Sequence, residues 1–573
     1  MRIKSLIVLV ILLVSIYQTF TQIPVNTSDD MIRHSLDRLE IKYNTQLHDI
    51  NLSSPTVNEV SDLIRFVLDS ARVLNLKEIA NLRYILDEYH DWNLETGYDI
   101  KNNENDKEPK GILGVFYKHP SNFYAKHAKN FFIQLDPVIY ITAGKDLKSN
   151  RLDFQNSRGF SVSGLIDKKI FFQSSLLETQ RSYLSHIESR ITRDQAIPGQ
   201  GLYKTYSSSV LNGVNGYDFM NAQAKIGFNI TKSITAQLGH GKFNIGNGIR
   251  SLFLSDYAHN YYFLRFNTKI WRFNYQNIFA ELSAMSHRNL GGDKIIPKKY
   301  MASHHLSFKP THNLEFGLFE SIIFKRDNHF ELQYLNPVII YRTVEHFIGS
   351  PDNVLVGFDF KYNFFKRFSI YGQMLLDEFN FSILKEDQTW WANKYGLQGG
   401  IKYIDAFNIN QLDMQLEYNV VRPFTYSHHD SLNSYSHFNQ PLAHPLGANF
   451  RELIFCINYK PFNRFIINTN AIFVMQGEDI DERSYGSNIL KSNSLRPLDR
   501  EGNLIDFGYF TGFGEKTYRT QYKLNLSYML FHNYFIDLDI LYYSRRSDKI
   551  PKTEELYIGG GLRINLSRNT PDF

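Results

Sequence analysis

Residues 411–461 confine the chain to a narrow set of folds. In QLDMQLEYNVV, Leu412, Met414, Leu416, Tyr418 and Val420 alternate with Gln411, Asp413, Gln415, Glu417 and Asn419. This period of two puts apolar side chains on one face of a strand and polar ones on the other. RELIFCINYKP repeats the pattern, with Leu453, Phe455, Ile457 and Tyr459 opposite Glu452, Asn458 and Lys460. Between the two lies a long stretch rich in His, Asn, Ser, Tyr and Pro. A strand of about ten residues, a long polar loop and a returning strand are what an outer-membrane barrel repeats. A soluble antiparallel sandwich shows the same alternation with its apolar face turned into a core, and periodicity alone does not separate the two.

The start of the chain bears on that choice. Arg2 and Lys4 precede an apolar stretch from Leu6 to Tyr17, the layout of a secretory signal peptide over residues 1–21. No later run of about 18 apolar residues follows, so no helical span is expected. Phe and Tyr number 45 and 36, and aromatic residues reach 15% of the chain, an excess that suits the interfacial girdles of a barrel. Mean hydropathy is nevertheless negative, -0.33, as expected when half of every strand faces water. Net charge is +5 from 63 basic and 58 acidic residues, too balanced to point to nucleic acid. Cys456 is the only cysteine, which excludes a disulfide framework and a thiolate metal site.

From residue 29 to 92 the pattern is helical. Ile32, Leu36, Leu39 and Tyr43 share a face, as do Leu63, Val67 and Ala71, and Leu82, Ile85, Leu86 and Tyr89. Ser54-Pro55 reads as a helix start with Pro at the first helical position. Asn75 with Glu78 three residues on reads as a capping box. The charged stretch KNNENDKEPK, residues 101–110, reads as a linker. The expected organisation is therefore a signal peptide (1–21), a periplasmic helical domain (22–100), the linker (101–110) and a barrel (111–573).

Beyond residue 111 alternating segments follow one another to a closing strand at Tyr557 to Leu566, and the chain ends on Phe573, a terminal aromatic of the kind that directs barrel insertion. At roughly 25 residues per strand and connection, the fold class is an all-β transmembrane barrel of about 16–18 antiparallel strands with a small N-terminal α-helical periplasmic domain.

Several blocks carry a family resemblance. LGHGKFNIGNGIRSLFLSDYAHNYYFLRF, starting at Leu238, and LSFKPTHNLEFGLFESIIF, starting at Leu306, resemble the Wzi-type capsule-assembly family of outer-membrane barrels. ELQYLNPVIIYRTVEHFIGSPDNVLVGFDF, WWANKYGLQGGIKYIDAFNINQLDMQLEYNVVRPFTYSH and FNQPLAHPLGANFREL are similar to the Bacteroidetes branch of that family, which includes the gliding-motility protein RemB. Ile245 stands where the capsule proteins often carry a tryptophan in the glycine-rich turn. The resemblance implies an 18-stranded barrel with helices on the periplasmic side, acting in surface polysaccharide attachment or in gliding.

Candidate site residues fall in four places. Sugars present hydroxyls that need paired donors and acceptors, and a C–H face that packs on aromatic rings. Tyr426, Tyr435, His437, Asn439 and Gln440 supply that mixture, as do Trp390, Trp391 and Asn393, although a Trp pair is equally a membrane-girdle anchor. Asn247, Arg250 and Asp256 follow Gly239, Gly241, Gly246 and Gly248, whose spacing is not a phosphate loop and reads as a shaped constriction. Asn336, Arg342 and Glu345 form the last cluster, in which Arg342 and Glu345 can simply neutralise one another. His428, His429, His437 and His444 fall in one loop, but without supporting carboxylate or cysteine spacing they read as a polar loop, not a metal site. An enzyme is the rival class, since Ser286-His287 and Ser303-His304 supply the residue types. Neither has a nucleophile motif, and adjacent strand residues point to opposite faces. A diffusion pore is the other rival.

The reading that results is a non-catalytic protein of the cell outer membrane, without catalytic residues, metal or cofactor. Its partners are outer-membrane lipid, surface polysaccharide held by extracellular loops including 422–449, and periplasmic or gliding-machinery proteins.

Overall fold

Exposure decides between the two sheet architectures. In the strand Leu412–Val421, the apolar Leu416 and Tyr418 are 42% and 44% exposed, whereas the polar Glu417 and Asn419 are 0% exposed. A water-soluble sandwich buries the apolar face, so the alternation here is inverted, and it is inverted around the whole sheet: Leu318, Val356, Met374, Leu397, Phe473, Tyr522 and Leu538 all face outward and exposed. An apolar outer band around a polar interior is the arrangement that lipid requires.

The computed structural model describes residues 30–44, 55–70, 74–89, 121–167, 169–208, 214–285, 295–326, 329–338, 340–349, 352–378 and 387–568. The signal peptide, the linker at 101–110, Ser54, Ala71, the Ser286-His287 pair and Phe573 lie outside these residues. Twenty strands form one antiparallel sheet. Two of them are short additions: Tyr124–Ala128 pairs with the start of Phe131–Asp146, and Lys204–Ser208 with the start of Val214–Asn229. The remaining eighteen, each paired with its neighbour in the chain, close the wall when the last, Thr553–Ile564, pairs with the first, Ile139 opposite Ile564 and Asp146 opposite Tyr557. Closure leaves no unpaired edge, which is what permits a sheet to stand in hydrocarbon. No helix among the described residues is long and apolar enough to cross a membrane.

The two ends of the barrel differ. At one end the strands join by tight turns, two residues long at Trp271 and Arg272 between Ile270 and Phe273, and at His532 and Asn533 between Phe531 and Tyr534. In outer-membrane barrels this end faces the periplasm. Stacked outward rings mark it: Tyr362 on Phe364, Phe364 on Phe368 and Phe368 on Tyr403, with centroids 5.6, 5.4 and 4.4 Å apart. At the opposite end the connections are long and carry structure of their own.

Three helices pack across the short-turn end: α1 (Asp30–Tyr43), α2 (Val57–Ser70) and α3 (Leu76–Glu88). The apolar faces read from the sequence form their common core, where Ile32, Leu36, Leu39, Val60, Leu63, Ile64, Val67, Leu82 and Ile85 meet Phe132 of the wall. The capping box at Asn75 and Glu78 is present. The start of α2 differs from the sequence reading. Thr56, not Ser54, caps it: Thr56 Oγ1 accepts the Glu59 N–H at 3.2 Å, and Glu59 returns a carboxylate oxygen to the Thr56 N–H at 2.8 Å. Pro55 thus precedes the cap, and a residue that can exchange two hydrogen bonds with its third neighbour takes the terminus.

The inner wall grips these helices by charge. Asp37 of α1 pairs with Lys402 at 2.7 Å and Lys361 at 3.3 Å, and Glu40 with Lys361 at 2.7 Å and Lys309 at 3.4 Å. Arg38 reaches Asp405 at 2.8 Å and also Asp413. Glu59 of α2 pairs with Lys269 at 2.7 Å. Asn81 of α3 accepts from Lys460 at 2.7 Å, and Glu88 from Asn533 at 2.9 Å.

Candidate functional site

At the end with the long connections, two segments fold inward instead of outward. Residues 242–260 enter after the strand Ile234–Gly241, and residues 422–449 leave the strand Leu412–Val421. Their apolar side chains form a core inside the barrel, with Leu252, Phe253, Leu254, Tyr426, Tyr435 and Leu442 against wall residues such as Phe319 and Leu375.

The glycine-rich turn explains how the first segment comes so close. Gly246 has φ +137°, a conformation that L side chains rarely adopt, and a Cβ on Gly248 would lie 2.5 Å from a Glu417 carboxylate oxygen. With no side chain there, Glu417 accepts the Ile249 N–H at 2.6 Å and the Arg250 N–H at 3.1 Å. Tyr371 donates to the same carboxylate at 2.8 Å and Asn419 at 3.0 Å. Above it sits a second carboxylate. Glu452 receives Asn419 at 3.0 Å, His444 Nε2 at 2.7 Å and the Arg250 guanidinium at 3.3 Å. Glu417, Asn419 and Glu452, from the polar faces read in the sequence, together with Tyr371, thus fasten both inward segments inside the lumen.

The candidates in 422–449 are spent on that packing. Tyr426 stacks on Tyr435, centroids 5.9 Å apart, and donates its hydroxyl to Leu252 O at 2.7 Å. His437 accepts the Ser283 N–H at Nδ1 (2.9 Å) and donates from Nε2 to Asn260 O (3.0 Å), the pattern of a neutral imidazole. Gln440 bridges Gly199 N and Gln200 O, both at 2.7 Å, and Asn439 donates to Asp194 O at 3.0 Å. Asn247, Arg250 and Asn393 are buried as well, whereas Asp256 is exposed. The polar composition of 422–449 leads one to expect an extracellular loop in water. The inner wall of this barrel is polar too, and a polar segment finds its partners there equally well. The histidines do not converge: among the described residues no three His, Cys, Asp or Glu side chains are grouped as a metal site needs. Ser303 and His304 point to opposite faces, His304 outward against Glu320 at 2.8 Å and Ser303 inward.

Solvent is met by a face that joins the candidates Trp390, Trp391 and Asn393 to a stretch, 479–514, not expected from the sequence. Residues 479–514 fold across the barrel end onto 387–393. Trp391 N donates to Asp506 O at 2.9 Å and Tyr509 N to Thr389 O at 3.0 Å. Arg422 ties both together, reaching Asn393 O, Trp390 O and Tyr509 O at 2.8, 3.1 and 3.2 Å. The Arg496 guanidinium lies 3.7 Å from the Trp391 ring centroid and pairs with Asp506 at 2.9 Å. Trp391 is therefore clamped, while Trp390 beside it is half-buried and Gln388, Phe507 and Phe510 are exposed. Aromatic rings flanked by Arg, Asp, Thr and Gln are the mixture that sugars require. The stretch 479–514 has an Asn, Ser and aromatic content like that of 422–449, so composition alone could have found it. Asn336, Arg342 and Glu345 lie elsewhere, on the outside of the wall, and Arg342 pairs with Glu345 at 2.7 Å.

Burial holds His259, His428, His437 and His444 below their ordinary value of 6.5. For His437, burial and the neighbouring His259, Lys299 and His240 act in the same direction. Burial with His429 and Lys394 brings His428 to about 4, and burial with His240 and Lys242 brings His259 to about 3. The unpacked segments, with imidazoles near 6.5, bind more protons than the packed ones below that pH. The packing is therefore at full strength above about pH 6.5 and weakens as pH falls toward 4. Each buried histidine should raise the opening constant by up to about tenfold per pH unit in that window. Hydrogen exchange of residues 426–446 between pH 7 and 5, corrected for intrinsic rates, reads this directly, and a flat profile would contradict it.

A family model described as capsule assembly protein Wzi matches residues 114–479. No curated protein sequence matches the chain. Among solved structures, Wzi of Escherichia coli, an outer membrane protein involved in group 1 capsule assembly and described as a carbohydrate-binding β-barrel, aligns at 13% identity and a TM-score of 0.55, over 96% of this chain and 100% of its own. OprD of Pseudomonas aeruginosa aligns at 10% identity and a TM-score of 0.40, over 76% of this chain and 95% of its own.

Proposed function

Since the chain belongs to the Wzi capsule assembly family, we propose that it is a non-catalytic outer-membrane barrel whose external face binds and organises surface polysaccharide. The observation that carries this reading is the face built by 387–393 and 479–514, which puts Phe507 and Phe510 in solvent, with the half-buried Trp390, beside fixed polar groups. The inward fold of 242–260 and 422–449 supports it further, because a barrel filled by its own segments works with its outer surface and not with a conduit.

The test is the polysaccharide retained on cells and shed into the medium, with the gene deleted and restored. Deletion should move polysaccharide from cell to medium at constant total. Trp390→Ala with Phe507→Ala should weaken retention while the barrel forms normally, an aromatic sugar platform being worth about 1 kcal/mol or more per ring. Tyr435→Ala is a poor probe, since it empties a packed site and unseats both inward segments. If retention is unchanged by deletion, the reading fails and a gliding-motility role without a glycan takes its place, with colony spreading as its measure.

A further inference from the structure

The connection between the strands Leu314–Phe324 and Asn353–Phe364 leaves the barrel end and doubles back down the outside of the wall. Its helix Tyr341–Ile348 starts against Glu320, whose two carboxylate oxygens accept the Tyr341 and Arg342 backbone N–H groups at 3.0 Å each. Glu320 belongs to the outward face. It alternates with the exposed Phe316 and Leu318, whereas Phe319 between them stacks inside the barrel on Phe253. Glu320 lies four residues before the end of its strand, so the helix begins on the order of 13 Å below that end.

Beneath the connection the wall is polar. His304 Nε2 meets Glu320 at 2.8 Å, the Tyr275 hydroxyl meets His304 Nδ1 at 3.1 Å, and the His304 ring stacks on Tyr341 at 4.4 Å. Tyr334, Tyr341 and Val344 seal this cluster against Phe279, Tyr300, Ile322 and Phe324. Asp352 fastens the returning chain, accepting from the Tyr334 hydroxyl at 2.9 Å and from Arg326 at 2.9 and 2.8 Å. What the connection turns away from the wall is largely apolar: Leu332, Val338 and Phe347 are 74%, 81% and 76% exposed, with Ile340 beside them. Its exposed polar side chains, Gln333, Asn336, Arg342, Thr343 and His346, lie among them.

We infer that residues 330–338 and 340–348 are seated in the outer leaflet, at the boundary of acyl chains and headgroups. There they shield the Glu320, His304 and Tyr275 cluster from lipid and offer Val338, Ile340 and Phe347 to acyl chains. A carboxylate on a lipid-facing wall is tolerated only when its hydrogen bonds are met within the protein, and the helix N-terminus meets them. The partner is lipid because the exposed apolar surface continues the outward band of Leu318, Val356 and Met374, which faces hydrocarbon. Apolar anchors with a few charged side chains at their edge are the make-up of a helix lying in the interface.

The test uses the full chain with its single cysteine replaced, Cys456→Ala, carrying a nitroxide at Val338→Cys or, separately, at Phe347→Cys, reconstituted in phospholipid vesicles. Leu318→Cys reports lipid and Gln388→Cys reports water. Both test sites should show the oxygen-over-nickel-chelate collision ratio of Leu318, several-fold above that of Gln388. A ratio equal to that of Gln388 overturns the inference. So does exclusion of both reagents with spin–spin broadening between molecules, which would make the face a contact between two copies of this chain.

Discussion

Glu452→Ala should unlock the inward segments while leaving the wall intact. Glu452 is fully enclosed, and its carboxylate is the shared acceptor of His444, Asn419 and the Arg250 guanidinium. Alanine would leave a buried guanidinium without its carboxylate, and breaking such a pair costs about 3–5 kcal/mol. The wall has its own ladder of hydrogen bonds and does not depend on this residue. The expected result is a loss of about a hundredfold or more in hydrogen-exchange protection at Ile249, Arg250 and Leu446, with protection of the strand Phe450–Phe462 kept. Glu452→Gln retains the shape and one acceptor and should lose less. Unchanged protection in the alanine variant would mean that apolar packing alone holds the segments.

At the other end, Arg38→Ala should free α1. Arg38 is buried between Asp405 and Asp413, and His34 adds to Asp413 at 3.0 Å. Two carboxylates facing each other without the guanidinium would again cost about 3–5 kcal/mol, seen as increased protease cleavage and exchange within residues 30–43. The two closures lie in series along one lumen. Neither single variant should therefore raise ion conductance much in a planar bilayer, whereas Glu452→Ala combined with Arg38→Ala should raise it well above the sum of the two. An additive result would show that one end alone controls the path.

The ends should also part company in acid. Burial works against ionisation of Asp37, but Lys402 and Lys361 outweigh it and hold its carboxyl well below the ordinary range. A depressed carboxyl contributes stability above its unfolded value that is lost only as pH falls through the folded one. The helices thus stay docked across the window in which the histidines of the inward segments begin to take up protons.

The strands were legible because their signal is local. Leu416, Glu417, Tyr418 and Asn419 already divide their strand into an apolar and a polar face, although only exposure shows that the apolar one meets lipid, and the observed wall of eighteen falls within the expected range. The helices were legible for the same reason, through Leu36, Val67 and Ile85. What holds them was not: Lys269, Lys309, Lys361, Lys402 and Lys460 sit on the inward faces of five different strands, and nothing in the sequence around any one of them reports a partner, acidic for the first four and Asn81 for the last, hundreds of residues away. The direction of 422–449 was hidden for a different reason. Inside this barrel and outside it are both polar environments, so a polar segment carries no mark of which it enters, and Tyr435 looked available to a ligand when it is enclosed.

The grip on α1 also imposes an order of assembly. Asp37 is synthesised before every group that holds it, and its partner Lys402 follows 365 residues later. Closing so long a loop is unfavourable until the intervening strands have drawn its ends together. The helices must therefore wait, undocked, through the growth of most of the wall. Seating them is a late step that reports a completed cylinder, because its lysines converge only once the strands from Tyr261–Ile270 to Phe450–Phe462 stand side by side.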